Sequence, residues 1–260
     1  MKFSLKSIAA AVVMAAAASS SFAAIDAGAT GNGELFFNIW DASGSYTRDL
    51  NITISSFESQ IAAGGSLNLS FAQDATFTSF LAGANAATLK WNVVAGDSVN
   101  PLRILTTYTA PEVAPLTDNN TKAASTNVRN FATAVNQVIG ANDSVAVNSG
   151  SAAYAGNATA GKFGIKLGSV LNFDTTGTLA NNSFASGLGF MRINALTTGT
   201  APSVYNEYMD GASAVNVYLD ANKTLHIAAL APVPEPESYA MLLAGLGMIG
   251  FMARRRNKRA

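Results

Sequence analysis

Apolar residues recur at every second position through most of the middle of this chain, and the alternating runs are bounded by Gly, Asn, Asp and Ser. The pattern predicts strands at Glu34 to Trp40, Tyr46 to Ile54, Ser66 to Ala72, Thr88 to Ala95, Leu102 to Thr109, Lys162 to Leu167, Leu188 to Ala195, Ala214 to Leu219 and Thr224 to Leu230. Val215, Val217 and Leu219 share a face with Leu225 and Ile227 across the turn formers Asp220 to Lys223, which is a hairpin with one buried side. A second hairpin carries Leu35, Phe37 and Ile39 to Leu50, Ile52 and Ile54 through Asp41 to Ser45. Nine strands with short turns exceed what one flat sheet holds, so the expectation is all-β: a two-sheet antiparallel sandwich, jelly-roll-like. One segment changes period. From Thr126, an N-cap residue, Val128, Phe131, Ala132, Val135, Val138 and Ile139 follow three-and-four spacing up to Gly140, predicting one amphipathic helix over an open end of the sandwich. A further turn is expected at Phe77, Phe80 and Leu81.

The two ends follow neither period. Lys2 and Lys6 precede an apolar run of 11 residues from Ile8 to Ala18, with small residues at Ser21 and Ala23. This reads as a secretory signal peptide over residues 1–23, cut after Ala23 with Ala24 as the alternative, because the run is too short to span a bilayer. At the other end Pro232, Pro234 and Pro236 keep residues 232–238 extended and accessible to a processing enzyme. An apolar helix over 239–253 would be about 22 Å long, a short membrane span. Arg254, Arg255, Arg256, Lys258 and Arg259 then resist translocation and hold residues 254–260 in the cytoplasm.

The succession Val233-Pro234-Glu235-Pro236, short Gly-rich helix and basic end resembles the PEP-CTERM sorting signal of Gram-negative bacteria, similar in layout to the LPXTG tail of Gram-positive surface proteins. The resemblance implies exosortase, a membrane-embedded Cys-dependent enzyme, as a partner, beside the signal peptidase implied by the leader. It also implies transient residence in the inner membrane and a setting rich in exopolysaccharide. The chain then divides into a leader (1–23), a body (24–231) and a sorting signal (232–260).

Setting the ends aside changes the charge. The whole chain is formally neutral, but the body holds 9 basic and 14 acidic residues, a net charge of −5. Without a Lys/Arg stripe it is not expected to bind nucleic acid or anionic lipid. With 0 cysteines there is no disulfide, thiolate nucleophile or Cys-ligated metal.

Candidate chemistry in the body is sparse. His226 alternates away from Leu225 and Ile227, so an exposed strand histidine is expected, and no Gly-x-Ser-x-Gly elbow accompanies it. Glu34, Glu58, Glu112 and Glu207 are isolated, whereas a glycosidase needs two carboxyls about 5 to 10 Å apart. Asp97, Asn100, Asp118, Asn119, Asn120 and Asp174 fall in expected loops, where a structural calcium ion is one reading and turn chemistry the other; no metal ligand or other cofactor is assigned. Asn-x-Ser/Thr triplets at Asn51, Asn68, Asn119, Asn142, Asn157, Asn181 and Asn222 have two readings: chance in a chain this rich in Asn, Ser and Thr, or a surface open to glycan attachment. Trp40, Tyr205, Glu207 and Tyr208 are the candidate glycan contacts, since sugar rings stack on exposed aromatic faces while carboxylates accept their hydroxyl hydrogens. Trp91, in register with Leu89 and Val93, is expected in the core.

The reading that unites these observations is an exported, exosortase-sorted protein of the outer surface or exopolysaccharide matrix, with a non-catalytic body. One alternative is a carbohydrate-binding module with an exposed aromatic platform; another is an extracellular hydrolase.

Overall fold

Residues 24–64, 67–99, 102–110, 116–196 and 199–229 are described in a computed structural model. The chain divides into two compact units, Met1–Leu230 and Ala231–Ala260, and every described residue belongs to the first. The expected leader and sorting helix therefore lie outside the described residues.

Strand β1 (Glu34–Trp40) shows why the sheet has two covered faces. Leu35, Phe37 and Ile39 enter one apolar cluster, while Phe36 and Trp40 enter another on the opposite face. A strand buried on both sides needs a layer above and below it. Its neighbours are β2 (Gly44–Thr53) and β4 (Lys90–Asp97). The sheet continues through β5 (Arg103–Tyr108), β7 (Leu188–Asn194), β11 (Asn216–Leu219) and β12 (Leu225–Ala228) to β3 (Asn68–Phe71). At the other edge β6 (Ser144–Asn148) pairs with β2, and β8 (Val204–Glu207) adds to β7. All pairings are antiparallel. The result is one ten-stranded sheet curled into a half-barrel, with a small hairpin of β9 (Met209–Asp210) and β10 (Ser213–Ala214) beside it.

The expected two-sheet sandwich is thus corrected to a single sheet. Strand twist accumulates into curl, which lets one sheet hold more strands than a flat one. Helices and a long loop, not a second sheet, supply the opposing layers. Helix α1 (Ile54–Ala63) and helix α2 (Ala75–Gly83) bury Phe57 and Phe77 against the face carrying Leu35, Phe37 and Trp91. Helix α3 (Asp118–Ile139) covers the other face through Val128, Phe131, Ala132 and Val135.

Each helix is started by a side chain. Thr53 accepts from the Ser56 N–H, Asp74 from Phe77 and Thr117 from Asn120. The last of these moves the expected start of α3 from Thr126 back to Thr117. Thr126 sits inside the helix, its hydroxyl donating to the Lys122 carbonyl at 2.9 Å. The first turns bury polar and small residues, so hydrophobic periodicity does not register there. Ser125 donates to the Asp97 carbonyl at 2.7 Å, and Thr121 pairs with Ser203, which donates to Asp118. Gly140 ends the helix at φ 63°, as expected.

Three further expectations change. Ile54, placed at the end of a strand by alternation, is the first residue of α1, and the turn at Phe77 is a full helix. The expected strand at Lys162 to Leu167 is a chain of turns. Gly161, Gly164, Leu167 and Gly168 all have positive φ there, and a Cβ on Gly164 would lie 2.7 Å from the Asn157 carbonyl oxygen. This loop nevertheless buries Phe163 and Leu167 against α3. Both expected hairpins are present, with Val217 opposite Ile227 and Leu35 opposite Ile52; the register of the latter pair shifts at a bulge between Leu35 and Phe36.

Candidate functional site

Val233, Pro234, Glu235, Pro236 and the basic cluster Arg254, Arg255, Arg256, Lys258 and Arg259 lie outside the described residues, as does Ala23; Ala24 is exposed. The geometry that can be given belongs to the body.

The four candidate glycan contacts do not come together. Trp40 is 4% exposed because the loop after β6 folds over it. A Cβ on Gly156 would stand 2.4 Å from the indole, and Tyr154 beside it donates its hydroxyl to the Asp41 carbonyl. Tyr208 is 8% exposed and lies on the other face of the sheet, its ring edge-on to Phe57 at 5.1 Å. Tyr205 is half-buried against Phe173, and its hydroxyl accepts from the Leu116 N–H at 2.8 Å. Only Glu207 is exposed, and it accepts from the Tyr108 hydroxyl. Burial, and then the Glu207 carboxylate, push the Tyr108 phenol up, so it remains a donor. Neither Trp40 nor Tyr208 offers a face to a sugar, which removes the aromatic platform expected from alternation.

Tyr208 instead joins a charged network that the sequence did not reveal. Its hydroxyl donates to Glu58 Oε1 at 2.9 Å, and Arg192 Nη1 donates to the same oxygen at 2.8 Å. Arg103 bridges Glu58 Oε2 at 2.8 Å and the fully buried Asp97 at 2.7 Å. Asp97 also accepts from the Gly33 N–H at 2.6 Å. Two cations and two carboxylates thus tie α1 to β4, β5 and β7. Burial, and then the nearby Glu58 charge, raise the Tyr208 phenol, which keeps it a donor. Glu58→Ala would leave both guanidinium groups without that partner. Because Arg192 is about a third exposed, the expected cost is about 2 kcal/mol, below that of a fully buried pair. Urea unfolding of Glu58→Ala and of Glu58→Gln, which keeps an acceptor for Tyr208, measures it.

His226 lies across from Tyr218 and stacks on its ring at 4.8 Å, with Nε2 3.2 Å from Asp220. The candidate calcium residues have other partners: Asp97 holds Arg103, Asp118 accepts from Ser203, Asp174 accepts from Thr176, and Asn119 accepts from the Gly199 N–H. Asn120 lies in the first turn of α3, and Asn100 is outside the described residues. Among the described residues no three His, Asp or Glu side chains are grouped so as to hold a metal ion.

A cleft of about 130 Å³ lies between α3 and the loop over Trp40. Asn127, Asn130 and Phe131 face it from the helix, and Tyr154, Asn157 and Lys162 from the loop. Phe131 and Phe163 stack at 4.2 Å on its floor. Sequence reasoning did not assemble these residues into a cleft: Phe131 reads as helix core, Asn157 as an Asn-x-Thr triplet and Lys162 as the start of a strand, and the loop holding half of them has no period.

Fold and cleft define a helix-covered, half-barrel β protein with a polar cleft beside α3. Comparison with known proteins adds the tail: the family model of the PEP-CTERM protein-sorting motif matches residues 232–256, and no other family model matches. No curated protein and no solved structure matches the chain. The motif marks an exported protein, processed by exosortase and sent through the membrane to the cell surface or extracellular space.

Proposed function

We propose that the protein is a non-catalytic structural component of the outer surface or exopolysaccharide matrix, delivered there by removal of its tail. The observation that carries the reading is the sorting motif over residues 232–256. In this mechanism the extended Pro234-Glu235-Pro236 strip enters the exosortase cleft while the apolar segment and its arginines hold the chain at the inner membrane. Cleavage then releases the body outward. A non-catalytic body is supported by how its carboxylates are used. Glu58 and Asp97 neutralise arginines, Glu34 accepts from the Asp26 N–H, and Glu207 holds Tyr108. The residues lining the cleft include no carboxylate and no histidine that could act as general acid or base.

Replacing Pro234, Glu235 and Pro236 together by Ala is expected to trap the protein at the inner membrane with its tail intact. Intact-mass measurement of the wild-type protein in the outer fraction should show a start at Ala24 and loss of Arg254 to Arg259. Unchanged release of the triple variant, or an outer-fraction protein that still ends in its arginines, would overturn the reading.

A further inference from the structure

We infer that the cleft between α3 and the loop of residues 150–163 binds a polysaccharide through one uronic acid residue. The inference rests on hydrogen-bonding groups left over after the protein has satisfied its own. Asn127 is 8% exposed and spends its amide N–H on the Leu167 carbonyl at 3.1 Å, which leaves Oδ1 without a protein partner on the cleft wall. Asn157 Oδ1 accepts from the Thr159 N–H at 3.1 Å, leaving its amide donors unused. Among the described residues the side chains of Asn130 and Lys162 make no hydrogen bond or ion pair. Asn127 Oδ1 opens onto the cleft and is not sealed in, so a ligand donor there would replace a hydrogen bond to water. The volume of about 130 Å³ is well above the ~10–15 Å³ that admits one water, and leaves room for a small polar ring.

The chemistry of the lining selects the occupant. Side-chain amides offer a donor and an acceptor side by side, which is the complement of neighbouring sugar hydroxyls that both give and take hydrogen bonds. Phe131 and Phe163, both buried and stacked on each other, close the base of the cleft with apolar atoms and offer no ring face to a ligand, so recognition falls to the polar lining. The single charge, on Lys162, favours a ligand carboxylate, and with no carboxylate in the lining nothing repels an anion at close range. The cleft opens to solvent beside the exposed Asn130 and Lys162, so the ring can belong to a chain.

Saturation-transfer NMR and calorimetry on the full-length chain test this with galacturonic acid, a short oligogalacturonate and the neutral galacto-oligosaccharide. The acidic oligomer is expected to bind at least as well as the acidic monomer and about tenfold more tightly than the neutral oligomer. Lys162→Ala should remove that tenfold preference, and Asn130→Ala should weaken both oligomers about equally. Both residues are exposed, so these variants should fold, with circular dichroism as the check. Absence of binding by all three probes overturns the inference. Binding of the monomer alone excludes a polysaccharide, and a Lys162→Ala protein that still prefers the acidic oligomer excludes the assigned charge contact. The readout is independent of tail processing, so this inference and the sorting proposal fail separately.

Discussion

Asp49→Asn should make the protein about 2–4 kcal/mol more stable at pH 8 while leaving it nearly unchanged at pH 4. Asp49 is 1% exposed, and its Oδ2 is buried without a hydrogen-bond partner. Burial pushes its carboxyl up to about 7; the Asn51 N–H draws it down, and the charges of Glu34 and Asp143 push it further up. Burial also raises Glu34, which the Asp26 N–H lowers and the Asp26 charge raises. A folded-state value above the unfolded one means that the native protein holds this proton more tightly. Its stabilising effect is therefore complete below about pH 4 and is lost as the pH rises through 7. The gap between about 7 and the usual value near 4 sets a ceiling of about 4 kcal/mol. Asparagine keeps an acceptor for the Asn51 N–H, bonded at 2.8 Å in the wild type, and cannot ionise. Urea unfolding of both proteins from pH 4 to 8 measures the difference; parallel pH profiles would show that Asp49 is not the group responsible.

Trp91→Ala is expected to cost about 4 kcal/mol or more, a large part of the stability of a domain this size. The indole is fully buried, and its Nε1–H donates to the Thr178 carbonyl at 2.8 Å. The Trp91 backbone also exchanges two hydrogen bonds with Gly177, at 3.0 and 2.8 Å. A Cβ on Gly177 would lie 2.6 Å from the ring, so only glycine lets this loop lie flat on the indole. Truncation empties the centre of the apolar cluster and strands the Thr178 carbonyl. Trp91→Phe retains most of the volume and loses only that hydrogen bond, so about 1–2 kcal/mol is expected. Circular dichroism during denaturant unfolding compares the two; equal losses would mean that the hydrogen bond, not the packing, dominates.

These two residues also mark how far a one-dimensional reading reaches. Trp91 was legible because it alternates in step with Leu89 and Val93 on a strand. Asp49 was not, because alternation puts it on the outward face of β2, and only the tertiary structure shows that this face is covered. Trp40 misled for the same reason. It does alternate away from Leu35, Phe37 and Ile39, but the loop carrying Tyr154 and Gly156 closes over it. Tyr205 and Tyr208 are near in sequence yet lie on opposite faces of the sheet.

Period-two alternation, turn residues and the tail motif are local, so the amino-acid order alone determined most of the strands, both hairpins, the end of α3 at Gly140 and the sorting signal. Whether the strands form one sheet or two, where α3 begins, and which polar groups are left over in the cleft depend on contacts between segments far apart in the chain. Those were decided by twist accumulated across ten strands and by helices and a period-free loop competing to cover both faces.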